Sequence, residues 1–199
     1  MQFIAALPEH AQQAAPLLRL SGPKAFDYIF NRHNGMSSTT YLEKYFSGPH
    51  TIFSHKHHYI LLNHEEVIGT LALTTKQDHD DGFFQTAKSM LRHYGLKSII
   101  RGLLFEMCLV RPPKKQRLYI GHVAIKPAYR GKGLGGLLIE QADQIARQRG
   151  FKTLALDVRA DNVNAIELYK RNGYEVKKYS KSFTQKLDDH IYMEKELSP

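Results

Sequence analysis

A single cysteine, Cys108, leaves this chain with no partner for an internal disulfide. Its 199 residues must hold together through an apolar core, which a chain of this length can supply. No stretch approaches the ~20 apolar residues of a membrane-spanning helix. The start lacks the basic segment and long apolar stretch of a secretory signal. These absences lead us to expect a cytoplasmic protein with no membrane partner. There is no internal repeat and no low-complexity linker, so 1–199 is expected to form one domain. The histidines His50, His55, His57, His58 and His64 crowd one region. No cysteine pair or compact carboxylate set completes a tetrahedral site beside them, and no metal is expected. Alternation would put His55 and His57 on one face of a partly exposed strand. Cys108 ends an apolar helical stripe, where a buried cysteine is ordinary.

Acidic residues are scarce in one place. Between Phe83 and Arg117 stand eight Lys or Arg and one acid, Glu106, so seven of the nine excess positive charges of the chain lie there. Phe84, Ala87, Met90 or Leu91, and Tyr94 recur at helical steps, as do Leu96, Ile99, Ile100, Leu103, Leu104 and Met107 after Gly95. Pro112-Pro113 ends the run. Two packed helices are expected, with the apolar side joining the core and the charges in solvent. The competing expectation is a lid beside a substrate groove whose field attracts an anion. A homodimer interface, a membrane-facing surface or a nucleic-acid surface are further uses, and no nucleic-acid motif supports the last.

The remainder alternates strand and helix signals. Gln2 to Ala6 is a strand candidate, and Pro8 precedes a helix reaching Leu20. Pro23 suits the first turn of another, Lys24 to Phe30. Thr39 to Phe46 is a third. Tyr59 to Asn63 and Val67 to Thr74 read as a hairpin. After the basic segment come strand 118–126, helix 134–149, strand 152–158, helix 162–171, strand 174–181 and strand 190–196.

Between strand 118–126 and helix 134–149 lies Arg130-Gly131-Lys132-Gly133-Leu134-Gly135. A strand that feeds glycines into a helix N-terminus makes an anion site, because the backbone can close on a phosphate and the first helical N–H groups are unpaired. Arg130 and Lys132 add positive charge. A Walker loop is absent, since nothing has its spacing. Gly131, Gly133 and Gly136 fit a dinucleotide fingerprint by count, with Asp157 at a plausible distance, but that pattern alone is weak.

The surrounding residues resemble the GNAT superfamily of acyl-CoA-dependent N-acyltransferases, from about Tyr119 to Val176. Val123-Ala124-Ile125-Lys126-Pro127 followed by the glycine turn is similar to the family's fourth strand and pyrophosphate loop. Leu154-Ala155-Leu156-Asp157-Val158 is similar to its fifth strand. Asn162, Ala165, Leu168-Tyr169 and Asn172-Gly173-Tyr174 are similar to the helix and exit turn that follow. The resemblance implies a mixed α/β (α+β) fold. Its mostly antiparallel central sheet would be splayed in the middle and flanked by helices, with the helical basic insertion (about 83–117) between the third and fourth strands. It implies acetyl-CoA as cosubstrate and an amine as acceptor. The acceptor would be a small or amino-acid-like compound, possibly anionic; a protein N-terminus or lysine is the alternative. A CoA-binding regulator without transfer activity is a third reading. Val123, Ala124 and Ile125 would run beside the pantetheine arm, Val123 and Ile125 through backbone groups. Arg130, Gly131, Lys132, Gly133, Leu134, Gly135 and Gly136 would cradle the pyrophosphate. Asn162 would hydrogen-bond the pantetheine or, read from the residues alone, cap a helix, a role open to Asp161 as well.

Acetyl transfer to an alkylamine needs a neutral amine and a protonated or stabilised leaving thiolate. Tyr169 matches the family tyrosine near the thioester sulfur; the residues alone also allow a ring packed on the sheet. The base is open. Where some members carry a glutamate on the fourth strand, Tyr119 and Gly121 stand here. Asp157 occupies a position that is glutamate in bacterial enzymes acetylating a ribosomal-protein N-terminus. It is one methylene shorter, which favours a water relay. His122 is the second candidate, since imidazole titrates near neutral pH, and Tyr119 could order a water.

Overall fold

The computed structural model describes residues 1–30 and 36–197. Strand β1 (Gln2–Ala5) leads through a short 3₁₀ turn, Pro8–His10, into α1 (Ala11–Ser21), α2 (Pro23–Ile29) and α3 (Ser38–Ser47). Ala11, Ala14, Ala15, Leu17 and Leu18 form the buried stripe of α1 at three- and four-residue steps. The Ser37 hydroxyl caps α3 by accepting from the Thr40 N–H. The hairpin follows as β2 (His58–Asn63) and β3 (Glu66–Thr74). His55 and His57 lie in a 3₁₀ turn before β2 and not on a strand, so alternation does not govern them. Among the described residues no three His, Cys, Asp or Glu side chains gather to hold a metal ion.

The insertion consists of α4 (Lys76–Tyr94) and α5 (Leu96–Cys108). It opens seven residues before the basic segment, at a capping box in which Thr75 and Asp78 satisfy each other's backbone N–H groups. The chain then completes β4 (Arg117–Ile125), α6 (Leu134–Gln148), β5 (Thr153–Arg159), α7 (Val163–Arg171), β6 (Glu175–Ser180) and β7 (His190–Glu196).

The seven strands form one sheet in the order β1-β2-β3-β4-β5-β7-β6. Only β4 and β5 pair in parallel. One face packs against α1 and α3 through Leu18, Tyr41, Phe46 and Ile60. The other packs against α6 and α7 through Leu118, Ile139, Leu154 and Ile166. No helix among the described residues is long and apolar enough to cross a membrane.

Two irregularities of β4 position the site. Its pairing with β5 runs from Arg117↔Thr153 to Ile120↔Leu156 and stops there, although both strands continue. The residues beyond, Gly121–Ile125 and Asp157–Arg159, therefore diverge and open a wedge. On its other edge β4 shifts register against β3 between Thr70↔Ala124 and Ala72↔Gly121. The extra residue is accommodated by His122, which takes a left-handed conformation with φ 49°.

Candidate active site

A cavity of about 1120 Å³ fills the wedge. The divergent ends of β4 and β5, the glycine turn, the start of α7 and the inner side of α4 and α5 all line it. At one end lies the glycine turn. Gly131 and Gly133 adopt φ 75° and 76°, and a Cβ at either would point into open space. An L side chain is disfavoured in that conformation, so the sequence needs glycine here. Gly133 is the N-cap of α6. The N–H groups of Leu134, Gly135 and Gly136 begin the helix and have no intrahelical acceptor. Arg130 Nε donates to the Ile125 carbonyl at 3.2 Å, which fixes the arginine at the mouth of the turn. The Lys132 ammonium sits 5.1 Å from the centre of the Tyr129 ring. Cationic side chains, free N–H groups and the positive end of a 15-residue helix converge on one exposed loop.

Asn162 caps α7, its Oδ1 accepting from the Ala165 N–H at 3.3 Å. The cap leaves the Nδ2 donors of this cavity-lining residue free for a ligand. Tyr169, on the same helix, is buried with its ring 5.8 Å from that of Tyr174. Its phenol lines the cavity and has no hydrogen-bond partner among the described residues. Burial pushes its pKa up to about 12.

Asp157 stands where β5 parts from β4. Its Oδ2 accepts from the Arg111 backbone N–H and the Tyr119 hydroxyl, both at 2.9 Å. Its Oδ1 is buried without a partner among the described residues. Desolvation raises the carboxyl pKa from 3.8 to about 6, against the opposing pull of those two donors. Tyr119 is driven well above its ordinary range by burial and by the same carboxylate.

The His122 and His58 rings lie edge to edge, their planes 3° apart and their centres 5.2 Å from each other. His58 Nδ1 lies 2.7 Å from the Ser54 carbonyl oxygen, which can only accept, so Nδ1 carries the proton and Nε2 is the acceptor. His122 Nδ1 donates to it across 3.0 Å. The proton of His122 is thus held on the side away from its Nε2. Burial lowers His122 to about 4 and pulls His58 well below its usual value. Both rings are neutral at neutral pH.

The structure brings Asp157, Tyr169, His122, Asn162 and the glycine turn around one cavity. The Arg111 N–H and His58 escaped the sequence reading. They lie 46 and 64 residues from the groups they bind, and no spacing rule reaches so far. The charges of the insertion divide unexpectedly. Of the eight cations between Phe83 and Arg117, Arg111 alone lines the cavity, joined by Lys24, Arg130, Arg159 and Arg171 from elsewhere, against Asp78, Glu106, Asp157, Glu167 and Asp188.

The family model for the acetyltransferase (GNAT) family matches residues 26–174. Streptothricin acetyltransferase of Streptomyces lavendulae is 42% identical over 59 residues, 30% of this chain and 31% of that one. The ribosomal protein bS18-alanine N-acetyltransferase of Escherichia coli is 42% identical over 53 residues, 27% of this chain and 36% of that enzyme. The chain thus spans about a third of the length of the curated relatives it matches. An N-acetyltransferase structure from Staphylococcus aureus superposes with a TM-score of 0.70 at 16% identity, covering 98% of this chain and 100% of that one.

Proposed function

Since the chain belongs to the acetyltransferase (GNAT) family, we propose that it is an acyltransferase that moves an acetyl group from acetyl-CoA to a primary amine on a small acceptor. One observation carries this reading. A single cavity holds two titratable groups that burial raises, a carboxyl brought up to about 6, near neutrality, and a phenol to about 12. The first is a base matched to working pH, and the second is an acid that stays protonated.

The residues present fit acetyl-CoA. The glycine turn would take the pyrophosphate, and the unpaired edge of β4 at Val123 and Ile125 the pantetheine arm. Asn162 Nδ2 would donate to the same arm. When bound, the cosubstrate supplies an acyl carbon activated as a thioester. Asp157 Oδ1 accepts the amine proton, through water because it is shielded. The amine nitrogen attacks the carbonyl carbon, the C–S bond breaks, and the Tyr169 hydroxyl protonates the departing thiolate. Tyr119 and the Arg111 N–H hold Asp157 in place. His122, at about 4, is too weakly basic to take this proton at neutral pH.

For the acceptor, the cavity offers both signs, with Asp78, Glu106 and Glu167 available to an ammonium and Lys24, Arg159 and Arg171 to an anionic group, as a small amino-acid-like amine would use. The relatives act on streptothricin and on an alanine of a ribosomal protein. A panel of small amines, peptide N-termini and lysine peptides separates these. We expect the highest kcat/KM among the small amines, and a preference for peptides would overturn that assignment.

The cosubstrate assignment has its own test. Acetyl-CoA at 100 times its Kd should raise Tm by roughly 5–10 °C, since such a ligand adds ~2.7 kcal/mol to the folded state. Gly133→Val places a branched side chain where only glycine is at ease and should abolish the rise. Arg130→Glu, on an exposed side chain, should weaken it with no loss of folding. An undiminished rise in both variants would put the pyrophosphate elsewhere.

A further inference from the structure

The helical insertion faces the wrong way for an ordinary core element. On α4 the buried positions are Gly82, Thr86, Ser89 and Met90; on α5 the buried position is Ser98. The opposite side shows Phe84, Leu91, Leu96, Ile100, Leu104 and Met107 to solvent. Phe84 is 71% exposed, Leu96 63% and Met107 79%. With Phe83 and Leu103, which border the cavity, eight of the fourteen large exposed apolar side chains among the described residues lie on this hairpin, so the exposure is concentrated and not scattered. Cys108, expected to be buried, is exposed beside them.

The orientation is fixed by polar bonds on the inner side. The Thr86 hydroxyl accepts from the Ile52 N–H at 3.1 Å. Ser98 Oγ donates to the Ile29 carbonyl at 2.8 Å. Ser89 bonds Tyr41, Tyr45 bonds His93, and His79 ties α4 to Glu106 of α5. Turning the helices to bury their apolar sides would break all of these and leave buried polar groups unpaired.

Cations share the outer face, where they outnumber the exposed Asp81 and the Asp80 that pairs with Lys76. At 100° per residue, Lys88 lies within a quarter-turn of both Phe84 and Leu91, Arg92 within a quarter-turn of Phe84, and Lys97 flanks Leu96 and Ile100. All three are exposed, and none makes an ion pair among the described residues. An isologous contact with a second copy would set these like charges against one another. A surface that is apolar within and negative above matches both features.

We propose that the outer face of α4 and α5 is a peripheral docking surface for an anionic lipid bilayer, with the apolar side chains entering the interface and Lys88, Arg92 and Lys97 meeting the headgroups. Such binding needs no spanning helix, only an amphipathic face and basic residues. It is independent of the acyl-transfer reading. The inner face of the same hairpin lines the cavity, so docking would set the enzyme's acceptor cavity on the protein side of the hairpin.

The test is sedimentation of the full chain with vesicles of phosphatidylglycerol and phosphatidylcholine, and with vesicles of phosphatidylcholine alone. We expect binding to the first and far less to the second, weakening as salt rises. Each cation near an anionic leaflet strengthens binding about fivefold, so joint Lys88→Glu, Arg92→Glu and Lys97→Glu should weaken it by at least about 100-fold. Joint Phe84→Ser, Ile100→Ser and Met107→Ser should weaken it comparably, since insertion needs the apolar side chains. Both variants should keep the acetyl-CoA-induced rise in Tm, which shows that they fold. Absence of binding to anionic vesicles would overturn the proposal. So would equal binding to neutral ones, or loss in only one of the two variants. A concentration-dependent dimer that the serine variant dissociates would assign the face to a second copy instead.

Discussion

Tyr169→Phe should lower turnover at least about 100-fold while leaving acetyl-CoA affinity and Tm nearly unchanged. The size follows from losing a general acid, which typically contributes 10²–10⁴-fold. The selectivity follows from the structure. The ring packs on Tyr174 and the substitution keeps it, whereas the hydroxyl has no partner among the described residues to forfeit. A phenol at about 12 keeps its proton throughout the neutral range, and an alkyl thiol, near 8.5, leaves as a thiolate that needs one. Steady-state kinetics with calorimetric titration of acetyl-CoA provides the check. Wild-type turnover in the variant would remove Tyr169 from the proton path. A loss carried by affinity alone would make it a binding residue.

Asp157→Asn should cut the rate sharply near neutral pH and at the same time stabilise the fold. In the wild type, kcat/KM should rise with pH through about 6 as the carboxyl ionises. In the variant that limb should vanish, and the rate should recover only as free amine accumulates toward pH 10. The stability effect has a definite sign. A carboxyl raised from 3.8 to about 6 binds its proton more tightly in the folded state than in the unfolded chain. Its contribution is fully present below about pH 4 and is lost as pH rises through about 6. The shift corresponds to at most about 3 kcal/mol at pH 8, the cost of burying the charge. A neutral Asn avoids that cost, and its oxygen can still accept from Tyr119 and the Arg111 N–H. Denaturant titrations at pH 8 and pH 4 should show the gain at pH 8 only. A variant less stable at pH 8 and unaltered in its pH–rate profile would make Asp157 a structural anchor.

Local features were readable from the residues. The glycine turn stands out because φ near 75° at Gly131 and Gly133 demands the residue type itself. The buried stripe of α6, with Leu138, Ile139, Ala142 and Ala146, is set by its own period. The splay of the sheet came from family resemblance, since nothing in β4 or β5 taken singly says where their pairing stops. Periodicity found the helices of the insertion but misjudged their facing. A repeat gives the phase of an apolar stripe, and only the neighbours decide which way it turns. Here Tyr41, Ile29 and the Ile52 N–H claim the Ser and Thr side. The chemistry of Asp157 was hidden for a similar reason. Its identity is in the chain, but its pKa depends on burial and on donors distant in sequence.

The most direct test of the central claim follows a labelled acetyl group. Incubation with acetyl-CoA labelled in the acetyl carbonyl and a panel of primary amines should release one CoA thiol for each amide formed, with the label in the amide. Tyr169→Phe should slow both equally. Tight acetyl-CoA binding with no amide from any primary amine, or thiol release without amide, would contradict the account and leave a CoA-binding protein that does not acetylate amines.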